Sequence, residues 1–294
     1  MTPLHLAVLA WPVEPTRDIA AYEAKLDRWV ALAKAGGAKM VAMPEYACVE
    51  LGAALAGNAS ADAATELRAM VDAADDILAA MRRVAMRHAI WLQPGTLPMR
   101  DGAAIVNRAP LIAPDGRLAM QEKRQMTRFE AELWGVSAGR APAVFETPWG
   151  LIGIAICYDA EFPKLVRAQV EAGAWLILAP SCTDTLHGYN RVRIGAQARA
   201  MENQCFVAVS PTVGGFPASA ALDENHGAAA VYGPVDRGFA EDGVVAAGAL
   251  DAPGLTFATL DPARLEAVRA DGALRHHRDW PQTSIPIPEM AVFA

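Results

Sequence analysis

The chain has 294 residues, 53% of them apolar and 20% charged, with a formal net charge of -7. That balance excludes a disordered chain, and it leaves no basic excess of the size a nucleic-acid binder carries. The length suffices for a large core without covalent staples.

The apolar pattern alternates between strand and helix. Leu4–Ala10 reads as a buried strand and not a secretory leader, because it has no basic start and Trp11-Pro12 follows. Asp18–Ala35 sets Tyr22, Leu26, Trp29, Val30 and Ala33 on one helical face, and Gly36-Gly37 ends it. Lys39–Met43 is a second strand, closing at Pro44-Glu45. An alanine-rich helical region runs over 61–88, with a break near Ala73. Strands follow at Ile90–Leu97 and Ala103–Ile112, and Pro114-Asp115-Gly116 turns the chain into Leu118–Lys123.

The second half continues in the same style. Ala143–Thr147 and Leu151–Ile156 form a hairpin over Pro148-Trp149-Gly150, before a helix at Lys164–Ala172. Trp175–Pro180 is a strand, Tyr189–Asn203 a helix and Cys205–Ser210 a strand. Ala228–Val231, Val244–Leu250 and Leu255–Leu260 are further strands, and Pro262–Ala270 is a short helix. From about Asp279 the proline-bearing end reads as an extended arm. The alternation argues an α/β fold and the hairpins argue mixed sheets. No composition shift marks a linker, so residues 1–294 read as a single domain.

The cysteines at 48, 157, 182 and 205 form no CxxC pair and no zinc spacing. Scattered thiols point to a reducing compartment, and no stretch has the length of a membrane span. The expected location is the cytoplasm. Cys157 stands apart from the others. It ends an apolar strand and precedes a helix opened by Pro163, where a nucleophile can be held rigidly and still be reached. Taken alone, it is as readily a buried thiol.

Two other strand ends carry charge: Pro44-Glu45-Tyr46 and Glu122-Lys123-Arg124. In an open α/β sheet, ligands bind at the carboxyl ends of strands. A thiol, a carboxylate and an ammonium gathered there suit thiol acyl transfer. The glutamate would take the thiol proton, and the lysine, with the Tyr158 N–H, would stabilise the oxyanion.

These three segments, in this order, resemble the signatures of the nitrilase superfamily, the carbon–nitrogen hydrolases. Ala198-Arg199-Ala200-Met201-Glu202-Asn203 resembles the family's ARAxEN helix. The resemblance spans about Leu4 to Leu260. It implies a four-layer αββα sandwich with two mixed sheets and a Glu45–Lys123–Cys157 triad. It also implies a thioester mechanism that needs no cofactor or metal. The family often has a second active-site glutamate seven positions before a glycine. Counting back from Gly139 gives Glu132, with Glu130 the alternative.

Tyr158-Asp159 after the cysteine resembles the amidase-like branches, whose motif is often CYDxxFP, and not the true nitrilases. Glu161 stands where many such members have arginine. Tyr158, Glu161, Ser181 and Thr183 are the expected substrate-binding residues. The expected substrate is a small linear amide or carbamoyl compound, and the alternatives are a small nitrile or a non-catalytic binding role. Water is the expected acyl acceptor, and transfer to another nucleophile stays open. No nucleic acid or membrane partner is expected, and a homodimer or higher homo-oligomer is.

Overall fold

The computed structural model describes residues 2–57 and 62–280. The chain runs β1 Leu4–Val13, α1 Ile19–Ala35, β2 Met40–Ala42, α2 Gly52–Leu55, α3 Ala63–Asp72, α4 Ala74–His88, β3 Trp91–Gln93, β4 Leu97–Asp101, β5 Ala104–Ile112 and β6 Leu118–Glu122. The second half runs β7 Val144–Thr147, β8 Gly150–Ile154, α5 Pro163–Glu171, β9 Leu176–Ser181, α6 Leu186–Asn203, β10 Phe206–Gly214, β11 Ala230–Tyr232, β12 Val244–Ala247, β13 Gly254–Leu260, α7 Pro262–Asp271 and α8 His276–Asp279. The arm expected from Asp279 lies, from 281 onward, outside the described residues.

The fold is mixed α/β. The parallel strands β1, β2 and β3 continue into the antiparallel meander β4, β5, β6. In the second half β8, β9 and β10 are parallel, with α5 and α6 as crossovers, and β7 and β11 are antiparallel edges of that run. The strands of the two halves are hydrogen-bonded to one another along β1. Strand β1 pairs with β13 over Leu4–Ala10, then with β10 over Trp11–Val13.

Strand β1 also divides the core. Leu4, Leu6, Val8 and Ala10 pack in one apolar cluster with Ile152, Ile154, Leu176 and Val207 from the second half. Ala7, Leu9, Trp11 and Val13 pack in another with Leu26 and Val30 of α1 and Ile77, Met81 and Val84 of α4. This is the period-two alternation of a strand covered on both faces.

Local chemistry sets the element ends. Asp18 caps α1, accepting from the Ala21 N–H at 2.7 Å, and Asp62 caps α3 through the Thr65 N–H at 2.8 Å. The helical region breaks at Ala73, as the pattern predicts. The strand expected at Ile90–Leu97 is split in two by Pro94-Gly95, since proline offers the ladder no N–H.

Candidate active site

Glu45 follows β2 by three residues, Lys123 directly follows β6, and Cys157 follows β8 by three. All three side chains are buried, and they share one cavity of about 570 Å³. The Lys123 ammonium donates to Glu45 Oε1 at 2.7 Å and to Glu130 Oε2 at 2.6 Å. Cys157 Sγ stands 3.7 Å from the Cys182 carbonyl oxygen.

Glu45 is positioned by the loop after β3. The Gln93 side chain donates to the Gly95 carbonyl at 2.7 Å and accepts the Met43 N–H at 3.2 Å. The Thr96 hydroxyl accepts the Tyr46 N–H at 3.1 Å. Gly95 has φ +94, and a Cβ there would stand 2.2 Å from the Pro44 carbonyl oxygen. Only glycine lets the two loops approach this closely.

Cys157 opens a 3-10 turn, Cys157–Glu161, with φ +48. Tyr46, next to Glu45, has φ +57. Left-handed backbone is uncommon outside glycine, and a non-glycine residue that adopts it is held there by its surroundings. For Cys157 the holder is Asp159. Its buried carboxylate accepts the Arg124 N–H at 3.0 Å and the Gln125 N–H at 2.7 Å, tying the cysteine turn to the segment after Lys123.

Glu130 sits on a π-helical segment, Phe129–Trp134. Its Oε2 accepts the Thr127 N–H and hydroxyl, each at 2.9 Å, and its own N–H reaches Thr127 Oγ1 at 3.3 Å. This is a reciprocal capping box. Tyr46 donates its hydroxyl to Glu130 Oε1 at 2.8 Å. Buried Asn107 donates to Glu45 Oε1 at 2.9 Å and lies 3.5 Å from Glu130 Oε1.

The two carboxylates are held differently. Burial pushes Glu45 up to about 7 against the pull of Lys123, the Glu130 charge adds to the rise, and hydrogen bonds from Lys123 and Cys157 oppose it. Burial also acts on Glu130, but the charge and hydrogen bond of Lys123, Thr127 and Tyr46 outweigh it, and its carboxyl is lowered. Burial alone would depress Lys123, yet Glu45, Glu130 and Cys157 together raise it. Burial, with Glu45 beside it, raises the Cys157 thiol despite Lys123. The resting arrangement is therefore a neutral thiol, a fixed ammonium, a firmly ionised Glu130 and a Glu45 poised near neutrality.

Glu132 is not part of this cluster. It is exposed on the outer side of its segment and pairs with Arg128 at 2.9 Å, one helical turn back. Glu130, the alternative, takes the inward place. Tyr158, Glu161 and Thr183 line the cavity, as does Cys182. Ser181 does not; its buried hydroxyl turns back to the Ala179 carbonyl at 3.0 Å. Asn107 and the Tyr46 hydroxyl were not anticipated. The signal for Asn107 is an amide in an otherwise apolar strand, and the signal for Glu130 is the spacing Thr127-x-x-Glu130. Among the described residues, no group of three or more His, Cys, Asp or Glu could hold a metal ion, and no helix is long and apolar enough to cross a membrane.

The chain belongs to the carbon–nitrogen hydrolase family, whose profile matches residues 6–270. It is 28% identical over 277 residues to the probable hydrolase YhcX of Bacillus subtilis, across 94% of this chain and 53% of that protein. The chain thus spans about half the length of that relative. It is also 28% identical over 260 residues to the deaminated glutathione amidase of Synechocystis sp., covering 84% of this chain and 88% of that one. An amidase from Nesterenkonia sp. shares the fold with a TM-score of 0.70 at 24% identity, over 95% of this chain and 97% of that one.

Proposed function

We propose that this chain is a cysteine amidohydrolase that cleaves a small linear amide or carbamoyl compound through a thioester. One observation carries the reading: Lys123 is clamped between two buried carboxylates on the cavity that also holds Cys157. A buried ammonium held by two carboxylates cannot drift, so it is a preorganised partner for negative charge that develops beside it.

Glu45 takes the Cys157 proton as Sγ attacks the carbonyl carbon. The carbon becomes tetrahedral, and its oxyanion faces the Lys123 ammonium. The C–N bond breaks, and Glu45 returns the proton to nitrogen, releasing ammonia. Water then attacks the thioester carbon, giving a proton to Glu45. The C–S bond breaks, the acid leaves and the thiol recovers its proton. The sum is amide plus water to carboxylic acid plus ammonia. Glu45 is suited to both directions of transfer because its affinity for protons lies near neutrality. Glu130 stays ionised and fixes the lysine.

The amidase relatives support amide over nitrile as substrate. The test is intact-mass spectrometry after incubation with mixed amides and nitriles. An acyl adduct on Cys157, absent in Cys157→Ala, is the expected result, with ammonia released from amides. Full amide turnover by Cys157→Ala would overturn the reading, and release from nitriles alone would replace it with a nitrilase.

A further inference from the structure

Glu161 is the last residue of the 3-10 turn that Cys157 opens. Its backbone is fixed from α6. Arg199 donates to the carbonyl oxygens of Ala160 at 3.3 Å and Glu161 at 3.2 Å, while its own guanidinium is held by Glu202. Gly195 of the same helix lies so close that a Cβ there would stand 3.3 Å from the Glu161 Cα. The carboxylate thus projects from a rigid base onto the cavity wall.

Its pairing is incomplete. Among the described residues its carboxylate accepts no side-chain hydrogen bond, and its ion-pair neighbour is Arg191 Nε at 3.7 Å. That exceeds the 2.7–3.2 Å of an ordinary N–H···O bond. Arg191 is 61% exposed, whereas Glu161 is 20% exposed. Burial accordingly pushes Glu161 up, with Arg191 and Lys123 opposing. Desolvated carboxylates without donors are costly, and an incoming donor removes the cost.

The rest of the cavity mouth has the same sign. Asp184, Asp223 and Glu224 line it against two guanidiniums, Arg191 and Arg128. Arg128 is already engaged by Glu132 through contacts of 2.9 and 3.1 Å. Glu224 is paired with His226 at 3.0 Å, but Asp184 and Asp223 have no ion-pair partner among the described residues, so a substrate carboxylate would meet an excess of negative charge at the mouth.

We propose that Glu161 is a specificity-determining residue that receives a positively charged group at the far end of the substrate, so the preferred amides carry a primary ammonium. This rests on the amidohydrolase reading for its chemistry, but the ammonium site can be tested without turnover.

The probes are 5-aminopentanamide, pentanamide and 5-amino-5-oxopentanoate, matched in length and differing in terminal charge. At pH 8 the expected order of kcat/KM is cationic, neutral, anionic, with roughly tenfold between the first two. Glu161→Gln should bring the cationic-to-neutral ratio close to one, and Glu161→Arg should favour the anionic amide. Arg191→Ala, which frees Glu161, should increase the cationic preference. The same order of affinity is expected by calorimetry in Cys157→Ala, where no chemistry occurs. Equal or reversed preference in the unaltered chain, or an unchanged ratio in Glu161→Gln, overturns the proposal. If none of the amides is hydrolysed, the amidohydrolase reading falls. The calorimetric ratio then still decides the ammonium site, and equal affinity for all three overturns it.

Discussion

Glu45 and Glu130 share one ammonium, yet the hydrogen bonds around them assign the proton. Glu130 accepts from Lys123, Thr127 and Tyr46, so its charge is well solvated by the protein. Glu45 has Lys123 and Asn107, and its carboxyl rises to about 7. A base must be ionised to work, so kcat/KM should fall as pH drops through about 7. Glu45→Gln should lose roughly 10²–10⁴-fold in rate and with it that acid limb. Glu130→Gln should act differently. It removes a negative neighbour that raises Glu45, so the acid limb should move to lower pH while kcat falls. Glu132→Ala should leave activity unchanged, because its partner is a surface arginine 88% exposed. A pH–rate profile of the three variants checks all of this. An unmoved limb in Glu130→Gln would show that the two carboxylates are not coupled.

At the scale of elements, the placement of Glu45, Lys123 and Cys157 depends on how three loops are tied. Asp159 ties the cysteine turn to the lysine loop through two N–H groups. Asp159→Ala should cost stability of roughly 1.5–3 kcal/mol per charged hydrogen bond and lower kcat more than it changes KM. Asp159→Asn keeps an acceptor oxygen and should recover part of both. A fully active Asp159→Ala would show that the loops need no tie. Gly95→Ala should cost roughly 1–3 kcal/mol from its positive φ alone, and more through the Pro44 carbonyl, displacing Glu45. Melting temperature and kcat measure both variants. These ties explain what was legible beforehand. Glu45, Lys123 and Cys157 were visible because each ends an apolar run, and strand ends announce themselves locally. The break at Ala73 and the hairpin at Pro114-Asp115-Gly116 were visible for the same reason. Glu130 was named only as the alternative to Glu132, because a count back from Gly139 carries no information on facing; in the π-helical segment Glu130 is buried and Glu132 exposed. Asn107 was hidden because its partners are distant in sequence, at Glu45 and Glu130. Ser181 misled for the opposite reason: a strand end supplies position, but not which way a hydroxyl turns.

Across the whole molecule, the site depends on both halves staying together. Glu45, Lys123 and Glu130 come from the first half and Cys157 from the second. The halves meet along β1, whose Leu4, Leu6 and Val8 face the second half while Trp11–Val13 pair with β10. A shared core face and a shared strand predict that the described residues unfold as one unit, with no state in which one half survives alone. Two thiols report on this without any label being engineered. Cys48 belongs to the first half and Cys205 to the second, and both are fully buried. Burial raises both thiols, Cys205 to about 12, so neither reacts while folded. In a denaturant series, pulse alkylation read by peptide mass spectrometry should expose both at the same midpoint. Leu6→Ala, which opens a cavity on the shared face, should cost about 2–5 kcal/mol and move both midpoints down together. Separate midpoints, or a shift of Cys48 alone, would show that the halves are independent and that the cavity they form is assembled by docking.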